Sequence, residues 1–119
     1  MQDFRNLDVW RKAHQLVLDI YRITSEMPKQ EMYGLTSQMR RAAVSVPTNI
    51  AEGCGRSTDP DFARFLAIAL GSANELEYLL LLAGELDMIG RDDVDAASRE
   101  TAEVGRMLNA LTRRLKVQR

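Results

Sequence analysis

The stretch from Thr36 to Ser57, TSQMRRAAVSVPTNIAEGCGRS, places the tightest limits on what this chain can fold into. Leu35, Met39, Ala42, Ala43, Val46, Ile50 and Cys54 recur at helical spacing. At about 100° per residue they fill one broad arc of a helical wheel. Arg41, Ser45, Asn49, Glu52 and Arg56 fill the arc beside it. Serine and asparagine are weak helix formers because their side chains compete for backbone hydrogen bonds. Their regular recurrence here points to partners on a neighbouring helix or subunit. Pro47 interrupts the stretch, with no N–H for the carbonyl of Ala43 and a ring that crowds it. Ser45 offers a cap for a restarted helix, but the polar stripe keeps its phase across the proline. One helix with a kink is the reading that preserves both arcs.

Three further amphipathic segments surround it. Helix one is expected from about Leu7 to Glu26, with a seam of Trp10, Ala13, Val17, Ile20, Thr24 and Met27 widened by Val9, Leu16 and Ile23. Pro28 ends it. Gly34 then precedes Thr36, a suitable cap for helix two, which ends near Gly53 and Gly55. Helix three opens at Thr58 or Asp59, with Pro60 in the first turn where a missing N–H costs nothing. It is expected to run to about Met88, with Gly90 as its stop. Phe62, Phe65, Leu66, Ala69, Ala73, Leu76, Leu80, Ala83 and Leu86 form one face, while Ile68, Leu70, Leu79 and Leu82 lie off it. A helix apolar on more than one side has more to bury than its own bundle covers, so an oligomer is expected. Helix four runs from about Asp92, with Val94, Ala97, Thr101, Val104, Leu108, Leu111 and Leu115 in unbroken three-four alternation. Four such segments on short links predict an all-α, antiparallel up-down-up-down bundle with a proline kink in helix two, as a single domain over residues 1–119.

QMRRAAVSVPTNIAEGCGR, with LDVWRKAHQLVLDIY before it and FARFLAIALGSANELEYLL after it, resembles the four-helix-bundle proteins encoded by bacterial 23S rRNA intervening sequences. The likeness extends to accessory proteins of diversity-generating retroelements. It covers roughly residues 4–90 closely, and helix four in pattern only. The resemblance implies a homopentameric barrel and, for the retroelement branch, nucleic-acid binding and a reverse transcriptase as partner.

Charge argues against a simple polyanion binder, because the chain carries a net −1. Nucleic-acid binders usually show excess positive charge on at least one face. Residues 1–58 hold eight Lys/Arg against six Asp/Glu, and residues 59–119 hold eight against eleven. Any phosphate-binding surface must therefore come from local clustering. Arg40, Arg41, Arg56 and Arg64 read as one such cluster around helix two and the start of helix three. Arg113, Arg114, Lys116 and Arg119 read as a basic end to helix four. The structural alternative pairs Arg41 and Arg56 with Glu52 or Glu75. Asn49, Glu52, Ser72 and Glu75 are expected to form a polar network between helices two and three. Gly71, Ser72 and Ala73 are small enough for close backbone approach there.

Catalytic chemistry finds little to work with. A nucleophile needs a base within reach, yet the only histidine, His14, sits beside the seam of helix one. Cys54 lies on an apolar arc and reads as a small buried hydrophobe. Glu75 with Glu77, and Glu85 with Asp87, are two apart, which turns their carboxylates away from one another on a helix. The Glu-x-x-His pair of bundle metal sites does not occur. Gly53-Cys54-Gly55-Arg56-Ser57 follows a helix instead of a strand, so it reads as a helix end and turn, not a phosphate loop. No cofactor, metal or enzymatic activity is expected. A lone cysteine fits a reducing compartment, the N-terminus lacks the pattern of a signal peptide, and the apolar run LLLLA at 79–83 is flanked by Glu77 and Glu85. A cytoplasmic protein with no membrane association is the expectation. Two function classes remain: a nucleic-acid-binding protein using arginine patches, and an oligomeric scaffold or adaptor for another protein.

Overall fold

The computed structural model describes residues 2–117, leaving Arg119 outside the described residues. Four helices follow in order: α1 (Asp8–Thr24), α2 (Leu35–Cys54), α3 (Asp59–Glu85) and α4 (Arg91–Val117), with single 3-10 turns at Phe4–Asn6 and Lys29–Glu31. Each packs on its neighbour in sequence, and α1 closes the ring against α4, so the diagonal pairs stay apart. This is the expected up-down-up-down bundle, 47 × 22 × 20 Å in extent. Its core runs along the axis through Leu16, Ile20, Met39, Ile50, Leu66, Leu76, Leu80 and Leu108. The seam read for helix four is buried from Ala97 to Leu115. Thr101 interrupts that apolar series at no cost, because its hydroxyl donates to the carbonyl of Ala97 at 2.7 Å.

Pro47 lies inside one continuous α2. Side chains attend the disturbed turn: Thr48 Oγ1 donates to the Val44 carbonyl at 2.7 Å, and Asn49 Nδ2 to the Ser45 carbonyl at 2.8 Å. The start of α2 differs from expectation. Gly34 occupies the cap position, Glu31 Oε1 accepts from the Leu35 N–H at 3.2 Å, and Thr36 is buried facing Met27 Sδ at 3.7 Å. An upstream carboxylate does what the threonine was expected to do.

The end of α3 also differs. The helix stops at Glu85, and Asp87 takes φ 58°. The Met88 N–H bonds back to the Ala83 carbonyl at 2.9 Å and the Asp87 N–H to Gly84 at 3.1 Å. That six-to-one plus five-to-two pairing is a Schellman motif with aspartate in the left-handed position that glycine usually fills. Gly90 plays no such part, and Leu86, read as a core position, is exposed.

Two close approaches shape the packing. A Cβ placed on Gly53 would stand 2.8 Å from Phe62 Cδ1 and 3.0 Å from Phe65 Cβ, so α3 rides on bare backbone there. Gly71, by contrast, is exposed with nothing within 4 Å, so it is not the contact expected of it. Apolar surface does remain on α3: Ile68, Tyr78 and Leu81 are 43%, 59% and 52% exposed. Among the described residues α3 alone is long and apolar enough to cross a membrane by length and composition. A bundle helix apolar on two sides meets that criterion too.

Candidate nucleic-acid interface

Antiparallel packing decides which charges become neighbours. It gathers the start of α1, the end of α2, the start of α3 and the end of α4 at one end of the molecule. The Gln2 N–H bonds to the Cys54 carbonyl at 3.2 Å, and residues 6–9 share a cleft of about 770 Å³ with Met107, Leu111, Arg113 and Arg114. Dividing each helix near its midpoint, residues 2–15, 46–70 and 105–117 carry nine Lys/Arg against five Asp/Glu. Residues 16–45 and 71–104 carry six against twelve. A near-neutral chain therefore folds into a bundle with one basic and one acidic half.

Five of the seven expected cationic residues lie in the basic half. Arg56 and Arg64 each place the guanidinium carbon 4.6 Å from the centroid of the Phe65 ring. The ring's electron-rich face attracts each cation, and Phe65 Cβ packs against the bare backbone of Gly53. Asp61 takes part of the charge, meeting Arg64 at 3.2 Å. Across the end, Arg113, Arg114 and Lys116 are exposed and form no ion pair among the described residues. The sequence reading missed Arg5, in the 3-10 turn before α1, and Arg11, in the first turns of α1, which join this end while paired with Asp3 and Asp8. Granting the antiparallel topology and counting charges by helix half would have found them.

Arg40 and Arg41 do not join Arg56 and Arg64. Fourteen helical steps, about 21 Å along the axis, carry α2 from Arg40 to its end at Cys54, and Arg56 lies beyond that end. Arg40 is half-buried as a tether between α2 and the end of α1: Nε donates to Thr24 Oγ1 at 2.8 Å, and the guanidinium lies 4.5 Å from the Tyr21 ring centroid. Arg41 is exposed. Neither Arg41 nor Arg56 pairs with Glu52 or Glu75 among the described residues.

The polar contact between α2 and α3 is narrower than the four residues expected. Ser45 Oγ and Ser72 Oγ share a hydrogen bond at 2.7 Å, and Asn49 Nδ2 adds one to Ser45 Oγ at 3.0 Å. Glu75 is exposed and accepts only from Gln38 at 3.4 Å, while Glu52 faces solvent without a side-chain hydrogen bond among the described residues. Small hydroxyls fit the narrow gap between the helices, and the longer carboxylates reach water instead.

Two groups titrate away from their ordinary range. Burial, then the nearby Asp3 carboxylate, pushes the Cys54 thiol up, so it is a poor nucleophile. Burial also raises Glu100 on α4, reinforced by a hydrogen bond to Asp19 and its charge and opposed by Lys12 and Arg22. His14 is exposed and stacks on Trp10, with ring centroids 5.0 Å apart. No group of three or more His, Cys, Asp or Glu side chains is placed to hold a metal ion among the described residues.

Fold and surface together define an all-α four-helix-bundle protein whose surface charge is segregated along its length. The chain belongs to the 23S rRNA-intervening sequence protein family, whose model matches residues 5–110. It is similar to a crystal structure from Bacteroides thetaiotaomicron, described as a protein of unknown function from the S23 ribosomal protein family. The two are 26% identical, the match covers 87% of this chain and 97% of that one, and the TM-score is 0.79. No curated protein matches the chain.

Proposed function

We propose that this protein binds nucleic acid through the basic end of its bundle, with Arg56, Arg64, Arg113, Arg114 and Lys116 as phosphate contacts. The observation that carries the reading is the segregation of charge, nine cations against five acids in one half of a chain whose net charge is −1. Guanidinium forks suit phosphate oxygens. Several copies side by side would multiply a modest patch. The exposed Ile68, Tyr78 and Leu81 on α3 supply apolar surface for such an assembly, and a homopentamer is the arrangement the family resemblance suggests. Mass measurement in solution tests that number directly.

The test of binding is a titration of labelled RNA and DNA across a salt series. Phosphate-driven affinity falls steeply with salt, and each lost contact lowers the log–log slope by about 0.9 for duplex DNA. Arg113→Ala with Arg114→Ala is expected to lower it by about two. Absence of binding at low salt, with the assembly intact, would leave the second reading. In that reading the α3 surface docks another protein and the bundle is a scaffold; a reverse transcriptase is the partner to try if the gene adjoins one.

A further inference from the structure

The seam expected of α1 is rotated in the folded chain. Val9, Ala13, Leu16, Ile20 and Ile23 face the core, while Trp10 and Val17 are only half-buried and His14 and Tyr21 are exposed. These last four recur at four, three and four residues, so they share one face of α1. Opposite them α2 presents short side chains, Val44, Pro47, Thr48 and Ala51. Large rings facing small residues leave an open groove along the α1–α2 junction, continuous because its two segments share Val44 and Thr48.

Its lining is unusual for a surface of this chain. At the lower end Trp10 and His14 lie parallel, 5° between planes, with Phe4 tilted against Trp10 at 4.8 Å. At the upper end Tyr21 lies under Arg40, with Arg41 beside it. Neither arginine has an ion-pair partner among the described residues, although the surrounding half of the bundle is acidic. Glu52 is the one acidic side chain lining the groove, and it stands at the lower end. Rings, an apolar floor and guanidinium groups without a carboxylate partner are the features that hold unpaired bases and their phosphates.

We infer that the α1–α2 groove binds single-stranded nucleic acid, stacking unpaired bases on the Trp10–His14 pair and on Tyr21 while Arg40 and Arg41 take the phosphates. This rests on the nucleic-acid reading above and adds that the strand leaves the basic end and runs along the groove. Trp10 to Tyr21 spans about 16 Å of helix, room for about five nucleotides stacked ~3.4 Å apart. A duplex has no unpaired base faces to offer these rings, and packed helices stand only about 8–10 Å apart.

Trp10 is the only tryptophan, so its emission reports the groove directly. The full-length protein is titrated at low salt with a twelve-nucleotide oligo(U) and, separately, with an RNA duplex of the same length. Oligo(U) is expected to quench Trp10 and to bind at least about fivefold tighter than the duplex. Tyr21→Ala and His14→Ala should each weaken oligo(U) about tenfold, given the usual worth of one base–ring stack. Duplex binding should be unchanged in both, and Tyr21→Phe should retain oligo(U) affinity. Arg113→Ala with Arg114→Ala should weaken both ligands. Equal, salt-sensitive binding of both RNAs with unmoved Trp10 emission overturns the groove and spares the basic end. Trp10 emission that changes on dilution without RNA overturns it as well, because a second copy then fills the groove. Binding of neither RNA removes both readings.

Discussion

Replacing Gly53 by alanine tests the packing that positions the basic end. The added methyl would sit 2.8 Å from Phe62 Cδ1, 3.2 Å from Phe62 Cε1 and 3.0 Å from Phe65 Cβ. A ring can rotate, but Phe65 Cβ moves only with the α3 backbone. Overpacking of this kind costs about 1–3 kcal/mol. Alanine returns at most about 1 kcal/mol of helix propensity, and less in the last turn of α2. The net expectation is a loss of about 1–2 kcal/mol. With an unfolding entropy of about 2.1 cal/mol/K per residue, that lowers Tm by about 4–8 °C for a chain of 119 residues. Gly71→Ala is the matched control, since its methyl meets nothing within 4 Å. There propensity alone acts in a helix interior, raising Tm by about 2–4 °C. Paired thermal melts by circular dichroism, with assembled mass measured alongside, decide the matter. Phe65 also carries the guanidinium groups of Arg56 and Arg64, so Gly53→Ala should weaken RNA binding while Gly71→Ala does not. A Gly53→Ala variant melting at or above wild type would refute the reasoning.

Three further outcomes follow from the same geometry. Ser45→Ala removes the hydroxyl that Ser72 and Asn49 share and should destabilise by about 1 kcal/mol, whereas Glu75→Ala, exposed with one long hydrogen bond, should stay within about 0.5 kcal/mol; urea unfolding separates them, and equal effects would contradict the placement. Asp87→Gly relieves the left-handed aspartate at the end of α3 and should raise stability by about 0.5–1 kcal/mol, a gain that Asp87→Ala should not reproduce. Glu100 has a raised folded-state value, so its ionised form is disfavoured by folding; the bundle should lose stability as pH climbs from about 4.3, the ordinary glutamate value, through the raised one. Glu100→Gln should remove that loss, and a wild-type-minus-variant difference that stays flat from pH 4 to 7 would count against it.

Much of this architecture can be read from periodicity, because a repeated three-four spacing reports which face of a helix is buried. The α4 seam, the core of α3 and the passage of α2 through Pro47 all belong to that kind of information. Periodicity is mute about position along the axis, which is why Arg40 and Arg41 read as companions of Arg56 and Arg64. Helix ends are harder for another reason. Thr36 and Gly90 are suitable residues for a cap and a stop, but Glu31 and the Schellman pairing around Asp87 meet the same backbone needs first. The observed network leaves out Glu52 and Glu75 because side-chain length, invisible to a helical wheel, decides what fits between two close helices. Size and spacing place Trp10 and Val17 in the core. A rotation of α1 by a fraction of a turn leaves them at its margin, and that margin is the groove.

A rod with poles of opposite sign turns before it docks. In the field of a polyanion such a molecule swings until its positive pole leads, so first encounters are end-on. Salt does not let the negative pole cancel the positive one. Screening sets in over about 8 Å at physiological ionic strength, and the bundle is 47 Å long. Copies arranged in parallel would gather several positive poles on a single rim and leave the opposite rim repelling the same ligand. Copies arranged head to foot would interleave the poles and blunt both. Mutual orientation of the subunits, more than the strength of any one arginine, then governs whether an assembly has a side that nucleic acid can find.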